Sequence, residues 1–293
     1  MVRTRLDPRG YQIAALAGLL AYGMVGLAFE VSIARVSLLL ATALATQYVG
    51  GRLARLPGFD PRSALISGLS LCLLLRTNSE ALAAGTAVVT IASKFVLRWD
   101  GKHLFNPTNF GLAFMILATQ AVWVSPGQWG SAAFLGFLLA CLGGLVVNRA
   151  ARSDITLAFL ASYGGLLFLR AVWLGDPMSI PLHQLESGAL LIFAFFMISD
   201  PKTTPDSRAG RVLFAILVAA GAAYVQFRLY RPNGLLWSLA ALSPAVALIN
   251  RLFPGCRYDW AGRARIPARP PKGVVHAPAL DLLPQLPLGP TRG

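Results

Sequence analysis

The sequence predicts an all-α polytopic membrane protein of about ten transmembrane helices in two inverted repeats of five, with short, interrupted helices at the third and eighth places. Three observations carry this expectation. The 293 residues are 56% apolar and only 13% charged, against roughly 45–50% and 25% in a soluble domain. The apolar residues fall into ten runs, and the two shortest runs stand at corresponding places in the two halves. The charge is lopsided as well, with 26 Lys and Arg against 12 Asp and Glu and a formal net charge of +14. The basic residues come in ones, twos and threes between apolar runs, not in a stripe interleaved with aromatics. A nucleic-acid partner is therefore set aside, and the lipid bilayer is the expected surroundings.

A span needs roughly 20 apolar residues. The candidate runs are 13–29, 36–49, 64–75, 81–97, 105–124, 131–147, 155–174, 187–198, 212–227 and 235–252. Arg3, Arg5 and Arg9 precede the first run as they would in a secretory signal, but no small-residue cleavage site follows, so the run reads as a retained helix. With the N-terminus inside, only Arg35, Arg76, Arg170, Arg228 and Arg231 fall outside, leaving 21 of the 26 basic residues inside. The expected location is a bacterial inner (plasma) membrane with both termini cytoplasmic. A transmembrane domain spans residues 1–254, with repeat one at about 11–124 and repeat two at about 130–253. Residues 255–293, rich in Pro and basic residues, read as a disordered cytoplasmic tail.

Both short runs begin with small polar residues, Ser67-Gly68 and Ser187-Gly188, and both end in polar clusters, Arg76 to Glu80 and Ser199 to Thr204. A full helix follows each, then a second matched feature, Phe105 to Asn109 in one half and Arg231 to Gly234 in the other. Because five is odd, the second copy enters the membrane from the opposite side. Interrupted segments at matched places of inverted repeats point to a site near the midplane. The plainer reading is two ordinary spans in which Gly68 and Gly188 serve close packing.

The candidate ligand-binding residues follow from these breaks. Asp200, Thr203 and Thr204 can bond a ring or polyol, while Lys202 or Arg208 can meet an anion. The alternative is a cytoplasmic turn in which Asp200 caps the next helix. Asn106, Thr108 and Asn109 stand at a Pro-marked helix start, where side-chain amides and free backbone N–H groups can hold an oxygen. Lys94, one turn from a helix end, reads as a snorkelling lysine. Arg76 and Glu80, four apart, read as a pair. Cys72, Cys141 and Cys256 lie far apart, as do His103, His183 and His276, so no metal site is expected. No phosphate loop, dinucleotide fingerprint or hydrolase nucleophile motif is present, so no catalytic residue is named.

Two stretches resemble the RnfD/NqrB family. The first is Ile91-Ala92-Ser93-Lys94 followed by Gly101 to Pro107; the second is Ser187-Gly188-Ala189 followed by Phe195 to Thr204 and Gly210-Arg211. The resemblance implies a membrane subunit of an ion-translocating electron-transport complex, with other membrane subunits as partners and ten helices in two inverted groups. It also implies flavin. Family members carry an FMN esterified to a Thr in an insertion between helices five and six, and one branch carries a further riboflavin. Here that connection is Ser125 to Trp129, without the threonine. No covalent FMN is therefore expected, and any flavin (riboflavin or FMN) would be noncovalent at the central site. The compact form looks most like stand-alone RnfD-like proteins such as the UnbU-like form found with enediyne biosynthesis. Two rival classes stay open: a small-solute or ion transporter that kept the fold without redox activity, and an accessory protein of a biosynthetic pathway.

Overall fold

The computed structural model describes residues 7–27, 29–124, 142–148 and 150–258. The connection at 125–129 expected to lack the FMN threonine, most of the sixth apolar run, and the tail beyond 258 lie outside the described residues.

The helices start where local chemistry can satisfy their free N–H groups. Asp7 accepts from the backbone of Arg9 (2.9 Å) and Pro8 takes the first position of α1 (Pro8–Gly26). Ser32 caps α2 (Ile33–Leu53) and Ser79 caps α4 (Glu80–Val96), each through its hydroxyl. Between them, α3 (Arg62–Leu74) has only 13 residues, most of them buried. It passes directly into a short strand, β1 (Leu75–Thr77). A tight hairpin, β2 (Arg98–Trp99) and β3 (Lys102–His103), leads to α5 (Pro107–Thr119). There Asn106 caps and Pro107 opens the helix, the arrangement that a fixed φ and a missing N–H favour. The chain then returns as β4 (Val122–Val124), which pairs antiparallel with β1, Arg76 opposite Trp123. The run predicted at 105–124 is thus a 13-residue helix plus a strand. The strand pairing supplies backbone partners where the short α3 has ended.

The second half holds α6 (Ser153–Leu174), which ends on Gly175 at φ 73°. Next come α7 (Ser179–Leu185) and α8 (Gly188–Ile192), the latter running into a π-helical turn, Phe193–Met197. Ser207 caps α9 (Arg208–Phe227), and α10 (Gly234–Leu242) and α11 (Ala245–Leu252) form a bent pair broken at Ser243-Pro244. Among the described residues three helices, α2, α6 and α9, are long and apolar enough to cross a membrane. The bent pairs α7/α8 (48°) and α10/α11 (56°) raise the number to five, and α3 and α5 are shorter apolar helices.

Packing joins α2 to α3 and α4, α4 to α5, α6 to α9 and α9 to α10, with α5 against α10 linking the halves. Most buried apolar side chains form one cluster, with Phe159, Phe193 and Phe214 fully buried, and Ala43, Ala64 and Ile91 form a small second one. At one end of the molecule, the first residues of the expected tail are anchored. Arg257 pairs with Asp100 (2.5 Å), Arg152 lies 4.8 Å from the Tyr258 ring centre, and Lys202 donates to the Tyr258 carbonyl (3.4 Å).

Candidate functional site

The early end of α3 and the π turn after α8 accompany polar side chains inside the bundle, in two cavities. The first cavity, of about 230 Å³, is lined by Ser67, Asn106, Thr108, Asp200 and Lys202, together with Arg9, Ser63, Lys94 and His103. The second, of about 310 Å³, takes in Ser187 with Tyr163, Gln226, Arg231 and Asn233. The single central site expected from sequence is therefore divided, and Ser187 stands in a different cavity from Asp200. Met197 lines both.

Asn106 does two jobs in the first cavity. Its Oδ1 accepts from the Asn109 backbone (3.0 Å), and its Nδ2 donates to the Met197 carbonyl (3.3 Å) and reaches Asp200 (3.5 Å). Asp200 does not cap α9; its Oδ1 accepts from the Lys202 backbone (3.0 Å) within the loop that follows the π turn. Burial pushes the Asp200 carboxyl above its usual range, against that hydrogen bond and the charges of Lys202, Lys94 and Arg152. Lys94 is 5% exposed, and its ammonium donates to Gln47 Oε1 and Ser63 Oγ, both at 2.7 Å. Two of its three donors are thereby used, and no third acceptor is found among the described residues. His103 donates from Nδ1 to the Lys94 carbonyl (3.0 Å). Burial, with the nearby charges of Lys94, Arg98 and Lys202, lowers His103 to about 4.

Other expected residues serve elsewhere. Gly68 packs on α2, where an added Cβ would stand 2.9 Å from the Leu40 side chain. Gly188 is the first residue of α8 and is buried. Asn109 is fully buried; its Nδ2 donates to the Leu236 carbonyl (3.2 Å), while its Oδ1 has no partner among the described residues. The Thr203 hydroxyl donates to the Asp200 carbonyl (3.3 Å), and Thr204 accepts from Arg152 Nε (3.3 Å). Arg208 is exposed at the start of α9 and lines neither cavity. Glu80 pairs with Arg35 (2.6 Å), not with Arg76, whose guanidinium donates to the Leu75 carbonyl (2.6 Å).

Lys94 is the residue that sequence reasoning misplaced. A signal was present, since Ala83, Ala87, Ile91 and Lys94 share one buried stripe at helical spacing. Arg9, read as a flanking charge, is also buried, held by Asp7 and Asp60, both at 2.7 Å.

Residues 120–256 match the NQR2, RnfD, RnfE family. That part of the chain, a little under half of it, is similar to the family. The D subunit of the ion-translocating oxidoreductase complex of Psychromonas ingrahamii is 30% identical over 159 residues, 54% of this chain and 37% of the relative. The protein of the same name from Stutzerimonas stutzeri is 28% identical over 235 residues, 79% of this chain and 62% of the relative. The D subunit of the proton-translocating ferredoxin:NAD(+) oxidoreductase complex of Clostridium ljungdahlii is 24% identical over 217 residues, 72% and 64% of the two chains. The chain thus covers less than two thirds of each of these relatives. The part matched by the RnfD-type family holds Ser187, Met197, Asp200 and Lys202, while Asn106 and Lys94 lie before it.

Proposed function

We propose that this chain is a membrane subunit acting in electron transport coupled to ion or solute movement, with a noncovalent flavin in the cavity around Asn106 and Asp200. One observation carries the reading: residues from both halves of the sequence, Ser67, Asn106, Thr108, Asp200 and Lys202, line one cavity beside the π turn after α8. Its chemistry suits a flavin ring. Asn106, Ser67 and Thr108 can bond ring carbonyls and nitrogens, Lys94 keeps a free donor, and Phe196 and Met197 offer an apolar wall. The volume of about 230 Å³ is on the scale of a planar ring system. A bound flavin would supply one- and two-electron storage. The protein would orient it, with Asp200 and Lys94 lining the polar part of the cavity.

The same reading includes ten spans in two inverted repeats, a cytoplasmic location for both termini in a bacterial inner membrane, and other complex subunits as partners. The packing of α2 with α4 and α4 with α5, repeated by α6 with α9 and α9 with α10, supports the duplication. A second reading, a solute or ion transporter without redox activity, is favoured by Met197, which separates two cavities with no other residue in common.

The deciding experiment is the visible spectrum of protein purified in detergent from flavin-rich cells. The expected result is a yellow preparation whose flavin absorbance is released by unfolding without covalent attachment and is lost in Asp200→Ala. A colourless preparation overturns the flavin reading and leaves transport ahead.

A further inference from the structure

The C-terminal end of α2 has an arrangement that neither cavity explains. Arg55 N–H bonds the Arg52 carbonyl (3.1 Å) and Leu56 N–H bonds the Gly51 carbonyl (2.9 Å), with Arg55 at φ 53°. This is a Schellman ending, whose left-handed position normally belongs to glycine. An arginine there is strained. Its charge is also unusual in its surroundings. The neighbouring Arg9 and Arg62 share Asp7 and Asp60 in a closed network of ion pairs. Arg52 and Arg55 are exposed and have no carboxylate partner among the described residues. Around them the surface is apolar: Leu53 is 80% exposed, Leu56 45% and Phe59 51%. Phe59 meets Tyr48 edge-on at 5.9 Å, and the Arg52 guanidinium lies 6.0 Å from the Tyr48 ring centre.

We propose that the end of α2 is a binding site for an anionic phospholipid, with Arg52 and Arg55 on its phosphodiester and Leu53, Leu56 and Phe59 against its acyl chains. Two cations without carboxylate partners, beside exposed apolar side chains at the end of an apolar helix long enough to span, complement an amphiphile with an anionic head. A free phosphate would leave the apolar half unused. A zwitterionic choline lipid brings its own cation to the two guanidinium groups.

The test uses the full chain in mixed micelles, with phosphatidylglycerol or phosphatidylcholine as the added lipid. Lipid retention is counted by native mass spectrometry and the thermal unfolding midpoint is recorded. The wild type is expected to retain phosphatidylglycerol over phosphatidylcholine by roughly thirtyfold, from two arginines near an anionic head, and to unfold at a higher temperature with it. Arg52→Gln and Arg55→Gly together should abolish the preference, whereas Arg55→Lys should keep most of it. Arg55→Gly alone separates binding from folding: the backbone strain is relieved, so its midpoint in phosphatidylcholine should be no lower than that of the wild type while the gain from phosphatidylglycerol shrinks. An undiminished preference in the double variant overturns the proposal. So does inorganic phosphate that stabilises as well as phosphatidylglycerol.

Discussion

Asn106 Nδ2 donates to the Met197 carbonyl at 3.3 Å, tying the first turn of α5 to the end of the π turn. The same side chain caps α5 through its oxygen. Asn106→Ala therefore removes a cap and leaves the buried Met197 carbonyl with only the long 3.4 Å bond from the Asp200 N–H, a combined cost of about 1–2 kcal/mol. Asn106→Ser keeps a capping oxygen without setting a second carboxylate beside Asp200, and should cost less. Unfolding by denaturing detergent, followed by tryptophan fluorescence, should rank wild type above Asn106→Ser above Asn106→Ala. Equal loss in both variants would mean that the capping oxygen contributes nothing.

Lys94→Met should lower stability by about 2 kcal/mol or more, since it strips Gln47 and Ser63 of a charged donor inside the bundle. Lys94→Arg should not restore it fully, because a planar guanidinium cannot reproduce the two 2.7 Å bonds from one nitrogen. A snorkelling lysine would tolerate both changes, so wild-type midpoints in the two variants would restore the reading made from sequence.

His103 makes the fold acid-sensitive in a defined window. Its ring takes a proton near 6.5 when unfolded and only at about 4 when folded. The unfolded state therefore binds more protons between these values, and stability falls as pH drops from 6.5 to 4, by roughly 2–3 kcal/mol. His103→Gln should flatten that stretch of the stability profile. A separate loss belongs to Asp60: partial burial would raise its carboxyl, but hydrogen bonds from Arg62 and Arg9 and the charge of Arg9 outweigh this and hold it at about 2. Its contribution persists above 3.8 and disappears only as pH falls from there toward 2.

Gly111 lies against Thr90 where α5 crosses α4. A Cβ built at Gly111 would stand 1.9 Å from the Thr90 hydroxyl, 2.9 Å from its Cβ and 3.1 Å from its Cα. Gly111→Ala must push the two helices apart, at a cost of about 2 kcal/mol or more. Thr90→Ala removes only the hydroxyl clash, so the double variant should recover part of the loss and not all of it. Full recovery in a thermal melt would show that the backbones have room to spare.

Much of the fold could be read from the chain because its breaks are chemical. Asn106-Pro107 announces a helix start in any setting, and the short third and eighth runs did become α3 and the interrupted α8. Long-range pairing was not legible: nothing local to Leu75–Thr77 reveals that Val122–Val124 will return to it. Arg35 found Glu80 across 45 positions, where a rule about neighbours on one helix pointed to Arg76. The site was partly visible. Asp200 and Asn106 stand out in the sequence as polar residues at apolar breaks, but only three dimensions separate Ser187 from them and turn Lys94 inward.

The π turn at Phe193–Met197 carries one residue more than an α-helical turn would, and its carbonyls are served from outside: Ala194 by the Thr156 hydroxyl, Phe195 by Ser199 and Met197 by Asn106. An extra residue rotates everything after it by about 100° relative to what comes before. Leu190 and Phe193 thus look into one cavity while Asp200, a few positions later, looks into the other. A single inserted residue would be enough to divide one helix between two compartments, and deleting it would turn Asp200 away from the company it keeps.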